Sequence, residues 1–111
     1  MILHVVTFRW KEGVADADVA ALCEDIERFR QKVGSLLDYR YGSDLGLREG
    51  NGDFAVAALV ASPEGLEEYL DHPAHLELLA NRLGPMIETR LAVQMEVPEP
   101  PGFAAGAPTA S

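Results

Sequence analysis

The stretch Tyr69-Leu70-Asp71-His72-Pro73-Ala74-His75 carries two of the three histidines of the chain, with a phenol and a carboxylate beside them. Such side chains serve proton transfer or cation binding. Proline is not tolerated inside a helix but suits its first position, so the spacing predicts one helix ending near Leu70 and another starting at Pro73. His72 then stands at the cap and His75 one turn on, close to it in space. A plain alternative is a helix-helix corner whose histidines are solvated or capping. A cation shared by His72, His75 and Asp71 lacks a convincing third and fourth ligand, so no metal site is assigned.

The elements around this corner decide whether it faces a pocket. Ile2 to Phe8 is β-branched and apolar and reads as a strand carrying the third histidine, His4. Asp16 or Asp18 can cap a helix running to about Val33, with Val19, Leu22, Cys23, Ile26, Phe29 and Val33 on its apolar stripe. Leu36 to Leu47 reads as a second strand with bulges at Gly42 and Gly46, followed by a turn at Asn51-Gly52 and a third strand, Phe54 to Ala61. Ser62-Pro63-Glu64 starts a short helix with Leu66, Tyr69 and Leu70 on one face. Beyond the corner Leu76, Leu79 and Leu83 line the next helix, which Gly84-Pro85 ends; Thr89 to Val97 alternates as a fourth strand. The tail, 98–111, is rich in proline, alanine and glycine and reads as flexible.

This order, βαββ(αα)β, is an α+β, ferredoxin-like antiparallel sheet with helices on one face. Its strands are apolar on both faces. His4, Val6 and Phe8 oppose Leu3 and Val5, while Val56 and Ala58 oppose Ala55, Ala57 and Leu59. The uncovered face, including Leu91, Val93 and Met95, is an association surface, and a second copy is its simplest cover: a homodimer.

The 111 residues suit one domain, 1–97 with the tail outside it, and 18 acidic against 9 basic side chains give a net charge of -9. That charge argues against nucleic acid and anionic membranes as partners. With no membrane-spanning apolar run or signal-like start, the reading is a cytoplasmic protein. The lone Cys23 cannot form an internal disulfide and reads as a buried structural thiol.

A histidine in the first strand, Tyr39-Arg40-Tyr41-Gly42-Ser43-Asp44 in the second, and the His72-Pro73-Ala74-His75 corner together resemble the stress-responsive dimeric α/β-barrel (Dabb) domain family. The resemblance spans about Met1 to Val97 and implies a ferredoxin-like fold and a dimer whose sheets pack into a barrel. A plant member, olivetolic acid cyclase, closes a linear polyketide by intramolecular aldol condensation. Its catalytic histidine and tyrosine match His75 and Tyr69, and its strand-one histidine matches His4. A neutral imidazole there takes an acidic proton between two carbonyls, and a phenol bonds the enolate oxygen, with no cofactor required. Where the family's last strand often carries an aspartate that orients the histidine, this chain has Gln94, with Arg90 nearby.

The site expected is therefore a pocket on the helix-covered face, lined by Val6, Phe8, Leu22, Ile26, Val56, Ala58 and Gln94, with His75, Tyr69 and His4 at its polar end. It would take a small, apolar, oxygenated molecule. The competing readings are a non-catalytic dimer that binds a hydrophobic ligand or serves as a stress-associated protein, and a haem-degrading monooxygenase, for which no axial ligand is assignable.

Overall fold

A computed structural model describes residues 1–99. The expected flexible tail thus lies, from residue 100 on, outside the described residues. The elements run β1 (Ile2–Trp10), α1 (Asp16–Arg30), β2 (Asp38–Ser43), β3 (Phe54–Val60), α2 (Pro63–Asp71), α3 (Pro73–Leu78) and β4 (Ile87–Glu96). A π-helical turn, Leu79–Leu83, and a 3-10 turn, Gly84–Met86, link α3 to β4. The four strands form one sheet in the order β2-β3-β1-β4, with antiparallel neighbours throughout. This is the ferredoxin-like α+β fold.

Register decides which side chains share a face. His4 lies between Ala58 on β3 and Gln94 on β4; Val6 lies between Val56 and Ala92; Phe8 lies between Phe54 and Arg90. Period-two alternation puts this set on the helix-covered side. There Val6, Phe8, Val56 and Ala58 join Leu22, Ile26 and Phe29 of α1 and Tyr69 of α2 in the core. Thr7, Ala55, Leu91, Val93 and Met95 lie on the opposite side, and Leu91 and Val93 are 76% and 60% exposed. Leu59, expected on that uncovered face, is already buried within the single chain.

Several local expectations are corrected. Ala15, not an aspartate, occupies the N-cap of α1, while Asp18 accepts from the Ala15 N–H at 2.8 Å. The helix ends at Arg30, and Val33 stays buried in the turn that follows. Strand β2 stops at Ser43 because Asp44 turns the chain: its carboxylate accepts from the Gly46 N–H at 2.9 Å and the Asn51 amide at 3.0 Å. Gly46 and Gly50, rather than Asn51-Gly52, supply the positive φ angles of that loop. The bulge in the sheet falls between Arg9 and Trp10 instead of in β2. Leu76 is 52% exposed, and Leu78 fills the core position expected of it. Cys23 is half-buried against the core rather than sealed within it, and burial pushes its thiol pKa up.

Candidate active site

The sheet supplies the floor of a cavity of about 190 Å³. His4, Val6 and Phe8 come from β1, Phe54 and Val56 from β3, Tyr39 from β2 and Arg90 from β4. Helix α1 contributes Ile26, α2 contributes Tyr69 and Leu70, and α3 contributes His75 and Leu78. Leu79 and Leu83 of the π-helical turn complete the wall. That widened turn is fixed at both ends. Gly84 donates its N–H to the Leu79 carbonyl, and a Cβ there would lie 2.6 Å from the same oxygen, so only glycine fits. Arg82 within the turn ties it to α1 through Asp25, Nε to Oδ2 at 2.7 Å.

The corner acts through its caps. Ser62 Oγ accepts from the Gly65 N–H at 3.2 Å and starts α2. His72 ends α2 and caps α3 in extended backbone, its Nδ1 accepting from the Ala74 N–H at 3.0 Å. His72 is thus spent on the turn, and the cavity wall does not include it. His75 instead turns back toward α2, with Nδ1 2.9 Å from the Leu70 carbonyl oxygen. A carbonyl can only accept, so Nδ1 carries the proton and Nε2 keeps its lone pair. Nε2 has no hydrogen-bond partner among the described residues. Burial holds the His75 pKa below its ordinary value; the Leu70 bond opposes this, and the Arg90 charge adds to it. The ring is neutral at pH 7.

Tyr69 lies against this ring, centroids 4.8 Å apart at 54°, and against the His4 ring at 5.9 Å and 68°, edge to face. Its pKa is raised by burial, while the neighbouring Tyr39 hydroxyl and Arg90 pull it the other way. Tyr69 therefore remains a phenol, able to donate. His4 is nearly fully buried, and the Gln94 amide meets its Nδ1 at 2.7 Å. With the amide nitrogen donating, His4 carries its proton on Nε2. Burial, then Arg90 and His75, holds its pKa down.

The structure brings His4, Tyr69 and His75 together with Val6, Phe8, Ile26 and Val56. It does not bring three of the expected residues to the cavity wall. Leu22 and Ala58 have no exposed surface and lie in the packed core behind the cavity. Gln94 sits beyond His4 and holds it from the edge strand. Seven wall residues were not among the expected site residues: the apolar Phe54, Leu70, Leu78, Leu79 and Leu83, and the polar Tyr39 and Arg90. Tyr39 meets Tyr69 at 6.1 Å and 74°, with the Arg30 guanidinium over its ring at 5.5 Å. The alternation of β2 could have placed Tyr39 beside the core. Alternation with Leu91, Val93 and Met95 could have put Arg90 on the helix side, but its place on the cavity wall beside Phe8 needed the pairing register. Among the described residues no group of three or more His, Cys, Asp or Glu side chains is placed to hold a metal ion. None of the described helices is long and apolar enough to cross a membrane.

A family model described as the stress responsive A/B barrel domain matches residues 2–97. The chain belongs to this family. Among relatives of this Dabb protein, an uncharacterised protein of Streptomyces coelicolor is 33% identical over 78 residues, covering 68% of this chain and 79% of that one. A dimeric ferredoxin-like protein of unknown function from Thermobifida fusca is 36% identical, with a TM-score of 0.81 over 86% of this chain and 90% of that one. Hydroxynitrile lyase from Passiflora edulis is similar in fold at 18% identity, with a TM-score of 0.75 over 89% of this chain and 94% of that one.

Proposed function

We propose that this Dabb chain works in the cytoplasm as a homodimer whose cavities each take up a small oxygenated molecule and move a proton on it without a cofactor. The observation that carries the reading is the bond from His75 Nδ1 to the Leu70 carbonyl, which leaves Nε2 a free base beside the Tyr69 phenol. In the proposed step Nε2 takes a proton from a carbon flanked by two carbonyls. The enolate oxygen that forms accepts from the Tyr69 hydroxyl, and His4 Nε2–H is a second donor at the same end. The enolate carbon then attacks another carbonyl of the same molecule, and the imidazolium returns its proton to the new alkoxide. This is an aldol-type cyclisation.

Cavity size bounds the substrate. An apolar cavity of about 150 Å³ holds benzene, so about 190 Å³ suits a single ring or a short chain. The dimer part of the reading is supported by the apolar sheet face carrying Leu91, Val93 and Met95. The Thermobifida fusca relative, which is described as dimeric, supports it too.

A test is the exchange of methylene protons of a small 1,3-diketone in D₂O, followed by NMR. Wild-type protein accelerates the exchange above the buffer rate and His75→Ala does not. A second reading, a ligand-binding protein without catalysis, is favoured by one feature: His75 Nδ1 bonds a neutral carbonyl rather than a carboxylate, and Asp71 favours the imidazolium only through its charge, less than burial disfavours it. Exchange at the buffer rate with the wild-type protein would select it.

A further inference from the structure

Arg90 is the feature of the cavity that proton transfer leaves without a task. It stands on the edge strand opposite Phe8, on the cavity wall yet exposed to solvent, so it marks the mouth. The other wall side chains include no acid. The chain has twice as many acidic as basic residues, and Arg28, Arg30, Arg40 and Arg82 each pair with a carboxylate. Among the described residues Arg90, like Arg9, Lys11, Lys32 and Arg48, has no ion pair, and of these five only Arg90 stands on the cavity wall. A cation left open on an acidic protein, at the entrance to an acid-free apolar cavity, suits a ligand that brings its own negative charge. Guanidinium offers a planar pair of N–H donors that matches a carboxylate in shape.

We propose that the molecule held in this cavity is a small carboxylate, its anionic end paired with Arg90 at the mouth and its apolar body lying inward against Phe8, Val6 and Ile26. This rests on reading the cavity as a small-molecule site. The Arg90 charge is also felt by His4, Tyr69 and His75, each of whose pKa values it lowers, so the guanidinium faces the polar end as well as the solvent. A carboxylate bound there would relieve that effect and make the imidazoles more basic.

Benzoate and benzamide have the same shape and differ in charge, which separates the two readings. Each is titrated by NMR at low salt and pH 7 into wild-type protein, Arg90→Gln and Arg90→Lys. Wild type is expected to bind benzoate about tenfold or more tighter than benzamide, as a charge-assisted hydrogen-bonded pair provides. Arg90→Gln should erase the preference by weakening benzoate far more than benzamide, and Arg90→Lys should keep part of it. Equal binding of both probes by wild type, or a preference that survives in Arg90→Gln, overturns the carboxylate proposal and leaves the cavity reading standing. Failure of both probes to bind overturns the two together.

Discussion

Tyr69 and His75 belong to different helices, yet their rings meet at 4.8 Å across the His72-Pro73 corner. The contact exists because His72 breaks α2 into extended backbone and at once caps α3, so the chain folds back by one turn. The same fold-back carries His75 Nδ1 to the Leu70 carbonyl, which fixes the tautomer. Geometry and protonation at this site thus have one cause.

Replacing His75 by alanine removes the base. Turnover in the exchange assay should fall by roughly 10²- to 10⁴-fold, with the far-ultraviolet circular dichroism unchanged. Tyr69→Phe keeps the ring packed against His4 and His75 and removes one donor, so a smaller loss than that of His75→Ala is expected. A Tyr69→Phe loss as large as that of His75→Ala would make the phenol the primary acid-base group.

His72→Ala should leave turnover nearly intact and lower stability by about 1 kcal/mol, the usual worth of a helix cap. Urea denaturation alongside the exchange assay separates the two effects. The result contrasts with His75→Ala, although the two imidazoles stand three positions apart.

Gln94→Leu should destabilise the fold by about 1–3 kcal/mol, because it leaves a buried ring nitrogen of His4 without a partner. Gln94→Glu supplies a carboxylate instead and should raise the His4 pKa, read from its NMR titration.

Stability should depend on pH through His4 and His75. Both pKa values lie below the ordinary 6.5 in the folded chain, so below that pH the unfolded state binds more protons. Stability is therefore flat above about pH 7 and falls as pH drops from about 6.5 toward 5. Asp25 is shifted in the same direction, held below its ordinary 3.8 chiefly by its hydrogen bond from Arg82, so its contribution is also lost as pH falls, but only at lower pH. Urea midpoints from pH 8 to pH 5 should show the first loss, and His75→Ala should shrink it. The acid limb of kcat/KM should likewise fall below pH 6.5.

Leu91→Arg should convert the dimer to a folded monomer in light scattering, since that side chain is exposed in the single chain and a charge buried in the contact costs several kcal/mol. Leu59→Arg, by contrast, should unfold the chain, because Leu59 is already buried without a partner copy.

The sequence by itself determined the element types, their order and the corner. Those follow from local rules: β-branched runs, the 3.6-residue stripe of α1, and Ser62-Pro63 and His72-Pro73 as helix starts. Alternation along β1 and β3 also sorted the side chains into two faces without knowledge of the partner strands, while the packing of α1 and α2 decided which of the two faces the helices cover. Strand ends and turns were less legible, because Asp44 and Asn51 act through side-chain bonds across a loop. What only the tertiary structure decided lies between distant residues. The β1–β4 register set Gln94 on His4 and Arg90 opposite Phe8. The π-helical turn set Leu79 and Leu83 on the cavity wall, while Leu22 and Ala58 packed out of reach of it. Pairing register and packing density are properties of the whole chain at once, so no window of sequence contains them.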